Sequence, residues 1–211
     1  MALRFEDMLE RLGSQGREAV LNTYSLYDAG LIGYDTFIDV ASELLQHINE
    51  RSAVFGQVSY AQVRAILLDT AVELPATATP TASTTPGALA QSLTTILEGE
   101  PERIVGRLER LGYVLPIEST QDSYSAALAD DSMVEGWQRG LNDDACQLCQ
   151  WWSWEGRIWP KVQPFQKHKG CKCQQIPKIA HTDEVPSTVY ERKLRQREEA
   201  IANRNRGDIK L

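Results

Sequence analysis

The sequence predicts a mainly α-helical fold with a small zinc-stapled β-hairpin module near the C-terminus. Three observations predict it. Apolar residues recur at helical spacing from Phe5 to about Thr70 and again from Leu89 to Leu111. A Thr/Pro-rich stretch, 74–88, interrupts the two helical regions. All four cysteines fall between Cys146 and Cys173, and all five tryptophans between Trp137 and Trp159.

The N-terminal region, 1–73, reads as three helices. Val20, Leu21, Tyr24 and Tyr27 mark the buried face of the first, and Gly30 and Gly33 punctuate its end. Asp35 suits an N-cap for a second helix, in which Phe37, Val40, Ala41, Leu44, Leu45 and Ile48 form one apolar stripe. Ser59 and Gln62 have the spacing of a capping box, which predicts a third helix carried by Val63, Ile66 and Leu67. Residues 74–88 hold five threonines, three prolines and no charge. Such a segment buries too little surface to offset its ordering entropy, so a linker, or a strap laid on a partner, is expected.

Helical pattern resumes in region 89–133. Leu89, Leu93, Ile96 and Leu97 stop at Gly99, and Pro101 opens a helix through Ile104, Leu108 and Leu111 that ends before Gly112. A further helix is expected over 120–133, then strand-like composition over 134–141 around Trp137. The last region, 181–211, reads as a charged helix over 190–205 with only Leu194 and Ile201 as a seam.

Composition narrows the function. The 211 residues are 42% hydrophobic and 24% charged, with a formal net charge of −7. That excludes a surface built throughout to coat nucleic acid, though a local basic patch remains compatible. Residues 187–211 hold seven Lys/Arg against four Asp/Glu, a net of +3, which leaves −10 on the remainder. Arg192 and Arg195 of this tail are candidate contacts to nucleic acid or an acidic partner. No run approaches the roughly 18 apolar residues of a membrane span, and no membrane association is expected. The first twelve residues are amphipathic and acidic, unlike a secretory leader.

The chemistry concentrates in region 134–180. Cys146-x-x-Cys149 and His168-x-x-Cys171-x-Cys173 supply five candidate metal ligands. A tetrahedral zinc site takes four thiolate or imidazole ligands, usually delivered as two close pairs, and Gly170 lets the chain turn tightly within the second group. The expected set is Cys146, Cys149, His168 and Cys173, with Cys171 the main substitute. Plain buried thiols are the simpler alternative, and no βαβ pattern supports a thioredoxin-type couple. Four filled positions make the site structural, and zinc binding contributes on the order of 10–16 kcal/mol in small modules of this kind. Trp151, Trp152, Trp154 and Trp159 flank a Glu155-Gly156 turn suited to a short hairpin. They read mainly as an aromatic mini-core, with Trp137, Trp151 and Trp152 as candidate interface anchors.

Catalytic patterns are sparse. There is no His-Glu-x-x-His, no deaminase signature, no Gly-x-Ser-x-Gly elbow and no Gly-rich phosphate loop. His181 and Asp183 could join a serine in a triad, but nothing local singles that serine out.

Gly136-Trp137-x-Arg139-Gly140-Leu141, Asp144-Ala145-Cys146-x-x-Cys149, Gly156-Arg157-Ile158-Trp159-Pro160 and His168-Lys169-Gly170-Cys171-x-Cys173 resemble the C-terminal signature of MuF-type phage minor head proteins, in the form found in actinobacterial phages. The resemblance covers about residues 134–175. A weaker one joins Tyr24-x-x-Tyr27-x-x-Gly30-Leu31-Ile32 and Asp35-x-Phe37 to the N-terminal part of that family. It implies a virion component of the phage head, in the host cytoplasm during assembly, associated with the portal protein, the major capsid protein or the packaged DNA. Some relatives carry a capsid maturation protease label or fused toxin or transferase domains. No further domain is expected after Asn205, and no protease nucleophile can be pointed to in the sequence. The expectation is therefore a structural head protein, with a maturation protease and a zinc-stabilised nucleic-acid binder as alternatives.

Overall fold

Helical periodicity carries the chain through most of its apparent stop signals. The computed structural model describes residues 5–73 and 85–179, and within them two long helices stand where the sequence punctuation implies four shorter ones. Helix α1 (Phe5–Asp28) ends where Gly30 takes φ +69, a left-handed turn in which Gly30 N–H meets Tyr27 O and Leu31 N–H meets Leu26 O, both at 2.9 Å. Helix α2 (Tyr34–Leu68) starts from Gly33, whose carbonyl accepts from Phe37 N–H at 2.9 Å. Asp35 therefore stands in the first turn, where its charge suits the helix dipole, and does not cap.

Ser59 lies inside α2, buried, and starts no new helix. The capping-box spacing is present, but the apolar face continues through Ala53, Tyr60, Ala61 and Ala65 without a break, so packing sustains the helix. Helix α3 (Pro86–Leu97) is capped by Thr85 Oγ1, which accepts from Ala88 N–H at 3.4 Å. Residues 85–88 thus belong to a helix start, and the rest of the expected linker, 74–84, lies outside the described residues. Helix α4 (Pro101–Asp130) begins with Pro101 and runs on through Gly112 and Pro116.

The helices pack around Val20 of α1, Phe37, Ala41 and Leu45 of α2, Leu89 and Leu93 of α3, and Leu108 of α4. Helix α4 is the element shared by both halves of the molecule. Its second half, with Tyr124 and Leu128, joins Tyr60 of α2 to a sheet of three antiparallel strands in the order β2-β1-β3. Strand β1 (Val134–Gly140) is central, between β2 (Trp159–Pro160) and β3 (Gln174–Ile179). Trp137 pairs with Trp159 on one side and Pro177 on the other. Pro177 is tolerated because β3 is an edge strand.

Asp131 locks the passage from α4 into β1. Its Oδ2 accepts from Tyr60 Oη at 2.6 Å and from Arg64 Nε at 2.7 Å, and its Oδ1 accepts from Met133 N–H at 2.8 Å. Burial pushes the carboxyl up, but the bonds from Tyr60, Met133 and Arg64 outweigh it and hold it below its ordinary value of 3.8. A carboxyl lowered on folding stabilises above its unfolded pKa and loses that contribution as pH falls through the folded value. Asp131→Asn is therefore expected to lower stability by about 1–3 kcal/mol at pH 7. The deficit should shrink as the pH is taken below about 4. Urea titrations of both proteins across this range check it; a pH-independent deficit would assign the loss to packing alone.

Candidate metal centre

The two ligand groups arrive from different kinds of backbone. Cys146 is the N-cap of α5 (Gln147–Ser153) and Cys149 lies in that helix's first turn, so helical spacing brings both sulfurs to one side. The expected hairpin at Glu155-Gly156 is instead the end of this helix. Trp154 (φ 38) and Gly156 (φ 93) turn the chain through a short 3₁₀ segment, and Trp159 then pairs with β1 rather than with residues 151–154 across the turn. His168, Cys171 and Cys173 come from the irregular stretch before β3. Gly170 (φ +73) and the Cys171 N–H to His168 carbonyl bond at 3.0 Å fold that stretch back on itself.

All five predicted ligands meet. His168 Nε2 lies 3.2 Å from Cys146 Sγ and 3.3 Å from Cys149 Sγ, and Cys149 Sγ lies 3.5 Å from Cys171 Sγ. Two triads, Cys146/Cys149/His168 and Cys149/Cys171/Cys173, each have their ligand atoms within 4.8 Å of one another, and either could hold a metal ion. Cys149 is common to both. A tetrahedron with metal–sulfur bonds of about 2.3 Å and metal–nitrogen bonds of about 2.0–2.1 Å has edges of about 3.6–3.8 Å. The three separations given lie a few tenths of an ångström inside those edges, so these neighbouring donors fit a metal of that size. Cys149, Cys171 and Cys173 are buried, and Cys146 is exposed.

The four thiols are shifted in different directions. Burial, with Cys171 alongside, pushes the Cys149 thiol up to about 12. The Cys173 thiol draws Cys171 down to about 5 against the cost of burial, and that same bond raises Cys173 itself. Cys146 is lowered, first by the backbone N–H of Cys149 at the start of α5. Cys173 Sγ also meets Asn142 Oδ1 at 3.1 Å, and the Asn142 backbone works against the rise.

Three residues that sequence reasoning did not assign hold the cluster in place. Gln121 of α4, buried, donates from Nε2 to the carbonyls of Cys171 at 2.7 Å and Cys173 at 2.8 Å, which fixes the second ligand pair on the helical body. Asn142 meets Cys173 from the end of β1. Arg139 of β1 is only 5% exposed, lies over the rings of Phe165 and Trp152, and reaches two of the sulfurs. Arg139 stood within the quoted signature, but Gln121 lies 50 positions from its partners and leaves no local trace. Around them the lysines of the ligand stretch meet acids of the helices. Lys167 pairs with Asp122, Lys169 with Glu118 at 3.0 Å, and Lys172 with Glu10 at 3.0 Å, while Tyr113 also donates to Glu10 at 2.6 Å.

The tryptophans divide. Trp137 is fully buried, stacked on Trp159 and edge-on to Phe165, with its Nε1–H on the Gln163 carbonyl at 3.1 Å. It is the core of the sheet, and its expected role as an interface anchor is corrected, because no part of the ring is left for a partner. Trp151 and Trp154 are 65% and 63% exposed beside exposed Leu148 and Ile158, and Trp152 is half-buried over Arg139. Arg192, Arg195 and His181 lie outside the described residues. His47, the remaining histidine, is exposed on α2 away from the cluster.

Compared with protein-family models, curated proteins and solved structures, the chain matches none. Among the described residues no helix is long and apolar enough to cross a membrane.

Proposed function

We propose that this chain is a structural minor head protein of a tailed phage, associated with the portal vertex or the inner capsid shell, and that its Cys/His cluster binds one structural Zn²⁺. The observation that carries the proposal is the convergence of Cys146, Cys149, His168, Cys171 and Cys173, the residues on which the resemblance to MuF-type head proteins rests, into one donor cluster. Cys146, Cys149 and His168 would supply three ligands and Cys171 or Cys173 the fourth. Zinc would supply a crosslink between α5 and the stretch before β3, two segments with little apolar core between them. The chain's residues then position the ligands, with Gln121 tying that crosslink to α4.

The exposed face of α5 and the turn after it suits docking. Trp151 and Trp154 stand out beside Leu148 and Ile158, and exposed tryptophans of this kind are over-represented among residues that dominate binding energy. Arg157 lies 4.2 Å over Trp159 and 5.8 Å over Trp154, which holds the indoles in place before any partner arrives.

Mass spectrometry of purified procapsids and virions from the phage or prophage that encodes this chain tests the proposal. The chain is expected in both, in few copies. Trp151→Ala with Trp154→Ala should lower its incorporation about tenfold or more while zinc content stays at one per chain. Absence of the unaltered chain from both particles would overturn the assignment. If uncut capsid or scaffold termini instead appear when His181 is replaced, the maturation-protease alternative takes its place.

A further inference from the structure

Arg139 is a buried cation without a carboxylate. It projects from β1, the central strand, into the space between α5 and the ligand stretch. One terminal nitrogen donates to the Gln166 carbonyl. The other lies 3.9 Å from Cys149 Sγ and 4.0 Å from Cys171 Sγ. Nε has no partner, and no ion pair to an acidic side chain forms among the described residues. Phe165 and Trp152 pack on the guanidinium, at 4.2 and 5.2 Å from the ring centroids, and keep water from it.

A guanidinium stays protonated in proteins, so it cannot escape burial by losing charge. Left alone, such a charge strongly disfavours the folded state. The groups placed to compensate it are the sulfurs. Three thiolates and one neutral imidazole around a divalent ion carry a single net negative charge, which one arginine cancels. Two thiolates would leave the pocket positive, and four would leave it negative. Arg139 reaches the sulfurs of Cys149 and Cys171, whereas Cys173 Sγ meets the Asn142 side chain, 3.1 Å from its Oδ1.

We infer that Arg139 is the resident counter-ion of the metal centre and that it selects a three-thiolate, one-imidazole set: Cys146, Cys149, Cys171 and His168. Cys173 stays outside the coordination sphere, supporting the loop through Asn142. This rests on the metal-binding reading above and goes beyond it, since it assigns the fourth ligand and a residue that sets affinity without touching the ion. Arg139 is a positioning residue in this sense.

The experiment measures zinc affinity of the full chain by competition with a chromophoric chelator, and the absorption spectrum of the Co²⁺-loaded protein. Arg139→Gln should weaken zinc binding about 10–100-fold, the range for losing an outer-shell partner, whereas Arg139→Lys, which keeps the charge, should recover most of it. The metal-free proteins should share one far-ultraviolet circular dichroism spectrum, because the helical body does not depend on Arg139. Cys173→Ser should leave the thiolate-to-cobalt band of three sulfurs unchanged, and Cys171→Ser should reduce it by about a third. If the unaltered chain binds no metal, the metal reading and this inference fall together. If it binds metal but Arg139→Gln binds as tightly, or if Cys173→Ser rather than Cys171→Ser loses the band, this inference alone is overturned. Should Arg139→Gln fail to fold, the two cysteine variants still decide the ligand set.

Discussion

Chelation, or replacement of Cys149 by serine, is expected to unfold residues 141–173, the ligand-bearing stretch, while the helical body survives. Cys149 belongs to both triads, so its loss breaks each of them and leaves the other four candidate ligands as two separate pairs. The stretch has little apolar core of its own. The cluster around the cysteines contains only Ala145, Trp152 and Phe165 as further apolar partners. Structural zinc contributes on the order of 10–16 kcal/mol in small modules, more than so small a core supplies. The helical core around Val20, Phe37, Leu45, Leu93 and Leu108 shares none of these residues and should persist.

The chain carries its own reporter for this prediction, since every tryptophan lies between positions 137 and 159. On chelation, tryptophan emission should shift to the red as Trp137 and Trp159 become wet, and far-ultraviolet circular dichroism should keep most of its helical amplitude. Readdition of Zn²⁺ should reverse the shift for the unaltered chain and not for Cys149→Ser. Acidification should release the metal, because cysteine and histidine ligands bind it only when deprotonated. Tryptophan emission that ignores chelators, in a chain with no bound zinc, would overturn the metal centre.

How far the sequence discloses this arrangement depends on the range of the interaction. Helix existence, the strand around Trp137 and the meeting of the five ligands were all legible, because each is written in local spacing. The helix count was not. Gly112 reads as a stop signal in isolation, yet α4 continues through it and through Pro116, since its neighbours bury it on either side of them. Strand β3 left almost no signal because its pattern is inverted at its start. Gln175 is buried on Ser125 Oγ, whose hydroxyl donates to its Oε1 at 2.5 Å, while Ile176 faces outward. Alternation of polar and apolar residues marks strands only where the buried face is apolar. Gln121 and Arg139 escaped assignment for the same reason: each is a polar side chain whose burial is justified only by partners from distant parts of the chain.

The second large effect concerns the glycine at the heart of the helical body. Gly112 of α4 and Gly16 of α1 pack backbone to backbone. A Cβ on Gly112 would lie 2.5 Å from Gly16 O and 2.8 Å from Val20 Cγ1, and one on Gly16 would lie 2.2 Å from Gly112 O. The obstacle in both cases is a carbonyl, which cannot swing aside as a side-chain end would. Pro116 sharpens the constraint, since it has no N–H to offer the Gly112 carbonyl four residues earlier, and its Cγ would itself meet a Cβ on Gly16 at 2.9 Å. Gly112→Ala is therefore expected to push α1 from α4 and to cost about 3 kcal/mol, at the upper end of overpacking effects. Gly106 provides the control on the same helix. It is exposed, nothing lies within 4 Å of the position its Cβ would take, and Gly106→Ala should stabilise by about 0.5–1 kcal/mol through helix propensity. Denaturant titration followed by circular dichroism should thus move the two midpoints in opposite directions. If both substitutions stabilise, α1 and α4 do not approach at this crossing, and the placement of the N-terminal helix against the element that carries Gln121 to the metal centre would have to be redrawn.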